Sequence, residues 1–192
     1  MQTKHKKTTA ERIQKLEDNT KSSLAALQKE NDELRANLKL IEDKNVYLEA
    51  YSRRENINFK NIPEEETNKE DMEMALCTFL ETELGFGDAA NVEIQRVHHL
   101  GKKRGESPRP ILARFLRYKD CEKILSLGHR LRGNNYKMCQ DLPFEIVKRR
   151  RAQMETLKKA RRNNIPAVFS KAQSDKLFIR GKLWPFGMPL EL

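Results

Sequence analysis

Little in this sequence marks an enzyme, a secreted protein or a membrane protein. It has one tryptophan and only three cysteines, Cys77, Cys121 and Cys139. With an odd count and no C-x-x-C pair, they argue against a disulfide framework or a thiol redox motif, so each is read as a reduced, intracellular core residue. The four histidines, His5, His98, His99 and His129, lack metal-ligand spacing with the cysteines, which argues against zinc; no metal and no cofactor is expected. No apolar run approaches the ~20 residues needed to cross a bilayer, and no hydrophobic leader follows Met1, so neither membrane association nor secretion is expected. Acidic residues gather in 64–83 instead of converging from separate elements, as metal-dependent strand transfer would require. No nucleophile–base constellation is visible either, so no catalytic residue is assigned and the chain is read as a non-enzyme.

Charge is abundant and unevenly placed. The net charge is +10, hydrophobic residues make up 38% and charged residues 34% of 192. That mix suits a globular part joined to a long solvated helix. Residues 1–52 are nearly balanced, with 10 basic and 9 acidic, whereas 53–192 hold 28 and 19. Segment 64–83 is acidic; 96–137 and 145–182 each carry twelve basic against three acidic residues. Two concentrated basic stretches point to a polyanion partner.

The first fifty residues contain no glycine or proline, and Ile13, Thr20, Leu27, Leu34, Ile41 and Leu48 recur every seven positions. A second series, Leu24, Asn31, Leu38 and Asn45, is offset by four. Together they form the d and a positions of a heptad repeat, so 1–52 is read as a self-associating coiled coil. Leu24, Leu27, Asn31, Leu34, Leu38, Ile41, Asn45 and Leu48 are the expected contact residues. The two a-site asparagines fix register at a cost in stability. They leave dimer against trimer open. Lys44 at g and Glu49 at the following e can bridge neighbouring strands, worth only tenths of a kcal/mol when exposed.

Residues 53–140 read as strand-helix-strand-strand-helix-strand. Ile57, Phe59 and Ile62 form the inward side of a first strand. Thr67 with Glu70 is a capping box ahead of a helix with Met72, Leu76, Phe79, Leu80 and Leu84 on one face, stopped by Gly85 and Gly87. Residues 91–100 are a second strand and 101–110 a basic loop. In 111–116, a third strand, Ile111, Ala113 and Phe115 point inward. Asp120 starts a second helix with Cys121, Ile124, Leu125 and Leu131 inward, and 135–140 is the fourth strand. The expected fold class is α+β: a coiled-coil helix, a ferredoxin-like βαββαβ domain and a small C-terminal α+β domain at 141–192.

This layout includes the RNA recognition motif, whose first strand Ile57-Asn58-Phe59-Lys60-Asn61-Ile62 matches except that Asn58 replaces the stacking aromatic. The third strand offers Pro110, Leu112 and Arg114 outward instead of aromatics. Without stacking platforms here, affinity must come mainly from phosphate contacts, and sequence preference should be weak. Candidates are Arg53 and Arg54 at the strand mouth, Asn56 and Asn58 on it, Arg109 and Arg114, the loop Lys102-Lys103-Arg104, and Arg130 with Arg132.

In 141–192, helix signals run from Asp141 and Pro143 to Asn163 and Pro166, with Val147, Met154 and Leu157 on one face. Basic residues, Arg149, Arg150 and Arg151 among them, crowd the rest. Such a run favours nucleic acid, with a localisation signal as the alternative. Short strands follow at 168–170 and 176–186, turned at Gly181, and Trp184 and Phe186 are expected to pack this unit.

The order of coiled coil, "SRRENINFKNIPE", split βαβ unit, "DLPFEIVKRRR" helix and terminal β-containing unit resembles the first open-reading-frame protein of LINE-type (LINE-one) retrotransposons. The resemblance covers nearly the whole chain. It implies a homotrimer that binds single-stranded RNA, or single-stranded DNA, with little sequence preference and acts as a nucleic-acid chaperone. The implied location is cytoplasmic ribonucleoprotein particles, with the nucleus as the alternative. Carried over by position, it implies nucleic-acid roles for Arg54, Asn56, Arg150 and Arg151. The sequence departs from the family at Asn58, where Arg is usual, and at Lys44 to Glu49, a degraded trimer motif. A coiled coil shorter than usual fits a truncated or domesticated copy. A competing expectation is a structural adaptor whose basic regions only neutralise charge.

Overall fold

The computed structural model describes residues 2–64, 69–103, 105, 107–188 and 190, with side chains from 11 onward except those of 69–71. The architecture is mixed α+β, with a long N-terminal helix and antiparallel sheets. By contact density the chain divides into two units, Met1–Asn45 and Val46–Leu192.

The first unit is helical throughout, part of α1 (Gln2–Ser52). Its heptad positions are open to solvent in the single chain, with Ile13, Leu24, Leu27, Leu34, Leu38 and Ile41 each more than half exposed. The last turns of α1, from Val46, belong to the second unit. There Val46, Tyr47 and Ala50 are partly covered, while Leu48 of the seam stays exposed.

The second unit begins with β1 (Asn56–Lys60), α2 (Lys69–Thr82), β2 (Ile94–His99), β3 (Ile111–Phe115), α3 (Tyr118–Ser126) and β4 (Lys137–Gln140). The strands form one antiparallel sheet in the order β2-β3-β1-β4. Alternation dictates its inward face: Ile57, Phe59, Ile111, Ala113 and Phe115 are completely buried. Leu76 and Leu80 from α2, Leu84 just beyond it, and Cys121 and Ile124 from α3 close over them, also at 0% exposure. Burying side chains of this size contributes roughly 1.5–3 kcal/mol each, so this layer is the main source of stability. Phe79 stacks edge-on against both Phe59 and Tyr136, at 5.9 and 5.1 Å between centroids. The expected inward residues of this sheet and its helices are those found, with Met72 and Leu125 only partly covered. Thr67 and the side chain of Glu70, the expected capping box, lie outside the described residues.

The remainder comprises α4 (Phe144–Ala152), α5 (Met154–Arg162) and an antiparallel sheet of β5 (Ala167–Phe169), β6 (Leu177–Ile179) and β7 (Lys182–Leu183) in that order. A second cluster, with Leu157, Ala160, Leu177 and Ile179 buried and Phe169 and Trp184 packed on it, holds this part together. The β6–β7 connection is a two-residue hairpin in which Arg180 and Gly181 have φ of 52° and 77°, the positive-φ pair that matches strand twist.

Four expectations are corrected. The single C-terminal helix is two, broken at Gln153 (φ −103°, ψ 0°). Gln153 is buried, and its Nε2 donates to the carbonyls of Arg149 and Asp175 at 3.2 and 2.8 Å. Ile146 is the fully buried residue of α4, while Val147 is 38% exposed, because the break rotates the two apolar stripes out of line. Of the cysteines only Cys121 is buried; Cys77 is intermediate and Cys139, on the outward side of β4, is exposed. Trp184 packs as expected, but Phe186 is exposed. Among the described residues, no helix is long and apolar enough to cross a membrane.

Candidate nucleic-acid interface

Where the paired arginines end α1 and enter β1, each is held by a carboxylate. Arg53 bonds Glu49 and lies 3.4 Å from Asp141, which also accepts from Asn56 Nδ2 at 3.1 Å. Arg54 pairs with Glu55 at 2.9 Å, and the same carboxylate takes Arg114 at 3.3 Å. The Arg54 guanidinium also lies 3.8 Å from the Tyr51 ring centroid and 5.9 Å from that of Tyr118. This aromatic contact holds its plane, while Nη1 donates to the Tyr51 carbonyl at 3.1 Å.

Beside this contact opens a pocket of about 250 Å³ lined by Arg54, Tyr118, Glu122, Gln140 and Lys171 among others. It shares Leu125 and Gln140 with a larger one of about 540 Å³, lined also by Cys139, Val147, Arg150 and Arg151. The two make one groove along the open edge of β4, with α3 on one side and α4 on the other. Its basic members come from three separate places in the chain: the strand mouth, α4 and the segment after β5. Arg150 is half-sunk over the Phe169 ring, 4.5 Å from its centroid, and burial pulls its pKa below the ordinary guanidinium value. Arginine remains charged in such a setting, so the groove carries a weakly hydrated cation. Tyr118 is pushed up by burial and by Glu122, so its hydroxyl stays neutral.

The other candidates are dispersed. On the outward side of the four-stranded sheet, Asn58 is level with Leu112 and Cys139, and Leu112 with His98. Among the described residues, the buried Oδ1 atoms of Asn56 and Asn58 and Nδ1 of His98 have no hydrogen-bond partner. Burial and the neighbouring Arg96 and His99 push the His98 pKa down, so that face stays neutral there. Arg109 is engaged by Glu64 through two guanidinium contacts, and Lys103 stands 3.8 Å from the same carboxylate. The hydrogen bond from Arg109 holds Glu64 down to a pKa of about 2. Arg130 turns back to donate to the carbonyls of Leu84 and Gly85, at 2.6 and 3.3 Å, capping the end of α2. Arg149 pairs with the buried Asp175 at 3.2 Å. Lys102 and Arg132 are exposed. Arg104 lies outside the described residues.

The groove therefore gathers Arg54, Arg150 and Arg151, and adds Tyr118, Gln140 and Lys171. These last were not singled out in the sequence, because nothing local in "RYKD" or "SKAQ" distinguishes them from ordinary surface residues. Among the described residues no group of three or more His, Cys, Asp or Glu could hold a metal ion. The chain matches no protein-family model and no curated protein.

Proposed function

We propose that this chain is a non-catalytic, sequence-tolerant single-stranded RNA- or DNA-binding protein, oligomeric through its N-terminal heptads and akin to the first open-reading-frame protein of LINE-type retrotransposons. The observation that carries the reading is the groove along β4, where Arg54, Tyr118 and Lys171 line one pocket and Arg150 and Arg151 an adjoining one that shares Leu125 and Gln140 with it. Its chemistry suits a sugar-phosphate chain: guanidinium forks for phosphate, apolar walls from Leu125 and Val147 for the sugar and base faces. The sheet order β2-β3-β1-β4 is that of a ferredoxin-like layout, and the reading assigns it to the RNA recognition motif type. The lack of outward aromatics on β1 and β3 supports weak sequence preference. On this reading the protein coats strands as a chaperone in cytoplasmic ribonucleoprotein particles; the exposed heptad seam supports self-association, and the resemblance makes that a homotrimer.

The test is the salt dependence of oligonucleotide binding. Each phosphate contact on a single strand contributes roughly 0.7 to the slope of log K against log salt. Replacing Arg54, Arg150 and Arg151 with alanine together is expected to weaken binding sharply and to lower that slope by about 2. Unchanged binding would overturn the proposal in favour of a structural adaptor.

A further inference from the structure

The outer side of the small three-stranded sheet is apolar and, among the described residues, uncovered. Strand register aligns Val168 with Phe178 and Phe178 with Leu183, one row across β5, β6 and β7. Their neighbours Phe169, Leu177 and Ile179 point the other way, into the second hydrophobic cluster. Val168 and Leu183 are 58% and 55% exposed, and Phe178 lies between them, partly shielded by both. Lys176 and Arg180 lie immediately before and after β6, Arg180 in the turn to β7, and Lys182 is exposed at the start of β7.

What covers such a face follows from its charge. From 156 to 190 the chain carries one carboxylate, Asp175, against eight lysines and arginines. Asp175 is 3% exposed and is taken by Arg149. A second copy of this face would bring the same cations against themselves, which opposes self-association. A ligand that presents flat apolar surfaces on an anionic chain fits both features, and an unpaired nucleotide is that ligand.

We propose that the Val168–Phe178–Leu183 row is a stacking platform for a base of single-stranded nucleic acid, with Arg180, Lys176 and Lys182 taking the adjoining phosphates. The inference rests on the nucleic-acid reading above but uses different residues. The two surfaces meet at the edge strand β5, whose Phe169 carries Arg150 of the groove while Val168 faces the platform. One strand of nucleic acid passing over that edge would occupy both.

Phe178→Ala in the full chain, with Phe178→Tyr as the conservative variant, tests this against a single-stranded oligonucleotide and a duplex of equal length. The expected result is a roughly ten-fold loss of single-strand affinity for alanine, rescue by tyrosine, unchanged duplex binding and an unchanged salt slope. The fluorescence of Trp184, the one tryptophan in the chain, is expected to change on binding in the parent and to respond less in Phe178→Ala. Wild-type single-strand affinity in a folded Phe178→Ala, while the arginine variants still lose binding, would overturn the platform and leave the groove standing. So would equal loss for single strand and duplex, or displacement of the oligonucleotide by polyglutamate as effectively as by polyuridine. If Phe178→Ala fails to fold, Val168→Asp combined with Leu183→Asp, at positions 58% and 55% exposed, takes its place, and retained affinity in that double variant overturns the proposal.

Discussion

Residues of the same type have opposite work here, and substitution should separate them. Arg130 and Arg151 both look like surface cations in the sequence. Arg130 closes the C-terminus of α2 through the carbonyls of Leu84 and Gly85, whereas Arg151 projects into the groove. Arg130→Ala is expected to cost about 1–2 kcal/mol in urea unfolding with little change in oligonucleotide binding. Arg151→Ala is expected to do the reverse. The cysteines divide in the same way. Cys139 is exposed, while Cys121 is buried and its thiol is pushed up to about 12 by burial. A maleimide at neutral pH is expected to label Cys139 first and to reach Cys121 only with denaturant; simultaneous labelling would show that α3 opens readily. Glu64 supplies an acid signature. Its folded pKa of about 2 lies below the ordinary 4.5, so its contribution to stability is full above 4.5 and fades as pH falls toward 2. Glu64→Gln is expected to remove that part of the acid limb in pH-dependent unfolding and to leave stability less dependent on pH below 4.5.

At the scale of elements, Asp175 ties distant pieces of chain together. Its carboxylate accepts from the Tyr47 hydroxyl at 2.9 Å and pairs with Arg149, and its carbonyl accepts from Gln153 at the break between α4 and α5. A carboxylate this buried is stabilising only while its partners stay. Asp175→Ala is expected to cost about 2–4 kcal/mol and to speed hydrogen exchange across α5 and β5–β7 before the four-stranded sheet. Uniform loss of protection would mean the two clusters unfold as one. The contrast between these elements also explains what the sequence could convey. Ile57 and Phe59, or Ile111, Ala113 and Phe115, announce themselves because a period of two reports burial directly. The lack of glycine and proline in the first fifty residues likewise announces a helix, whose heptad residues are open to solvent in the single chain. The break at Gln153 does not, because it depends on a carbonyl 22 residues away. Nor do the ion pairs: Arg109 meets Glu64 across 45 residues and Arg53 meets Asp141 across 88. A run of arginines therefore tells how much positive charge is present but not how much is free. The groove is equally hidden in the sequence, since it exists only because strand order brings Arg54 and Arg150 to the same edge.

For the whole molecule, the question is what joins several such grooves. The apolar residues of the heptad seam, interrupted by Thr20, Asn31 and Asn45, are more than half exposed in one chain, and burial of such side chains against a partner contributes roughly 25 cal/mol per Å². On the proposed reading each partner adds one covalently attached globular unit, so a strand held by one groove would meet the next at high effective concentration. Weak phosphate contacts then sum to useful affinity. Leu27→Asp with Leu34→Asp places charge in the middle of the seam and is expected to give a monomer by light scattering, with the globular unit still folded by circular dichroism. On a long single strand its affinity is expected to fall at least about ten-fold, while on an oligonucleotide too short to reach a second groove it should match the parent. Equal affinity on both lengths would mean that the heptads do not multiply the grip. Replacing Asn31 and Asn45 with leucine works in the opposite direction: the oligomer should resist higher temperature but lose a single strand number, and its binding to long strands should persist.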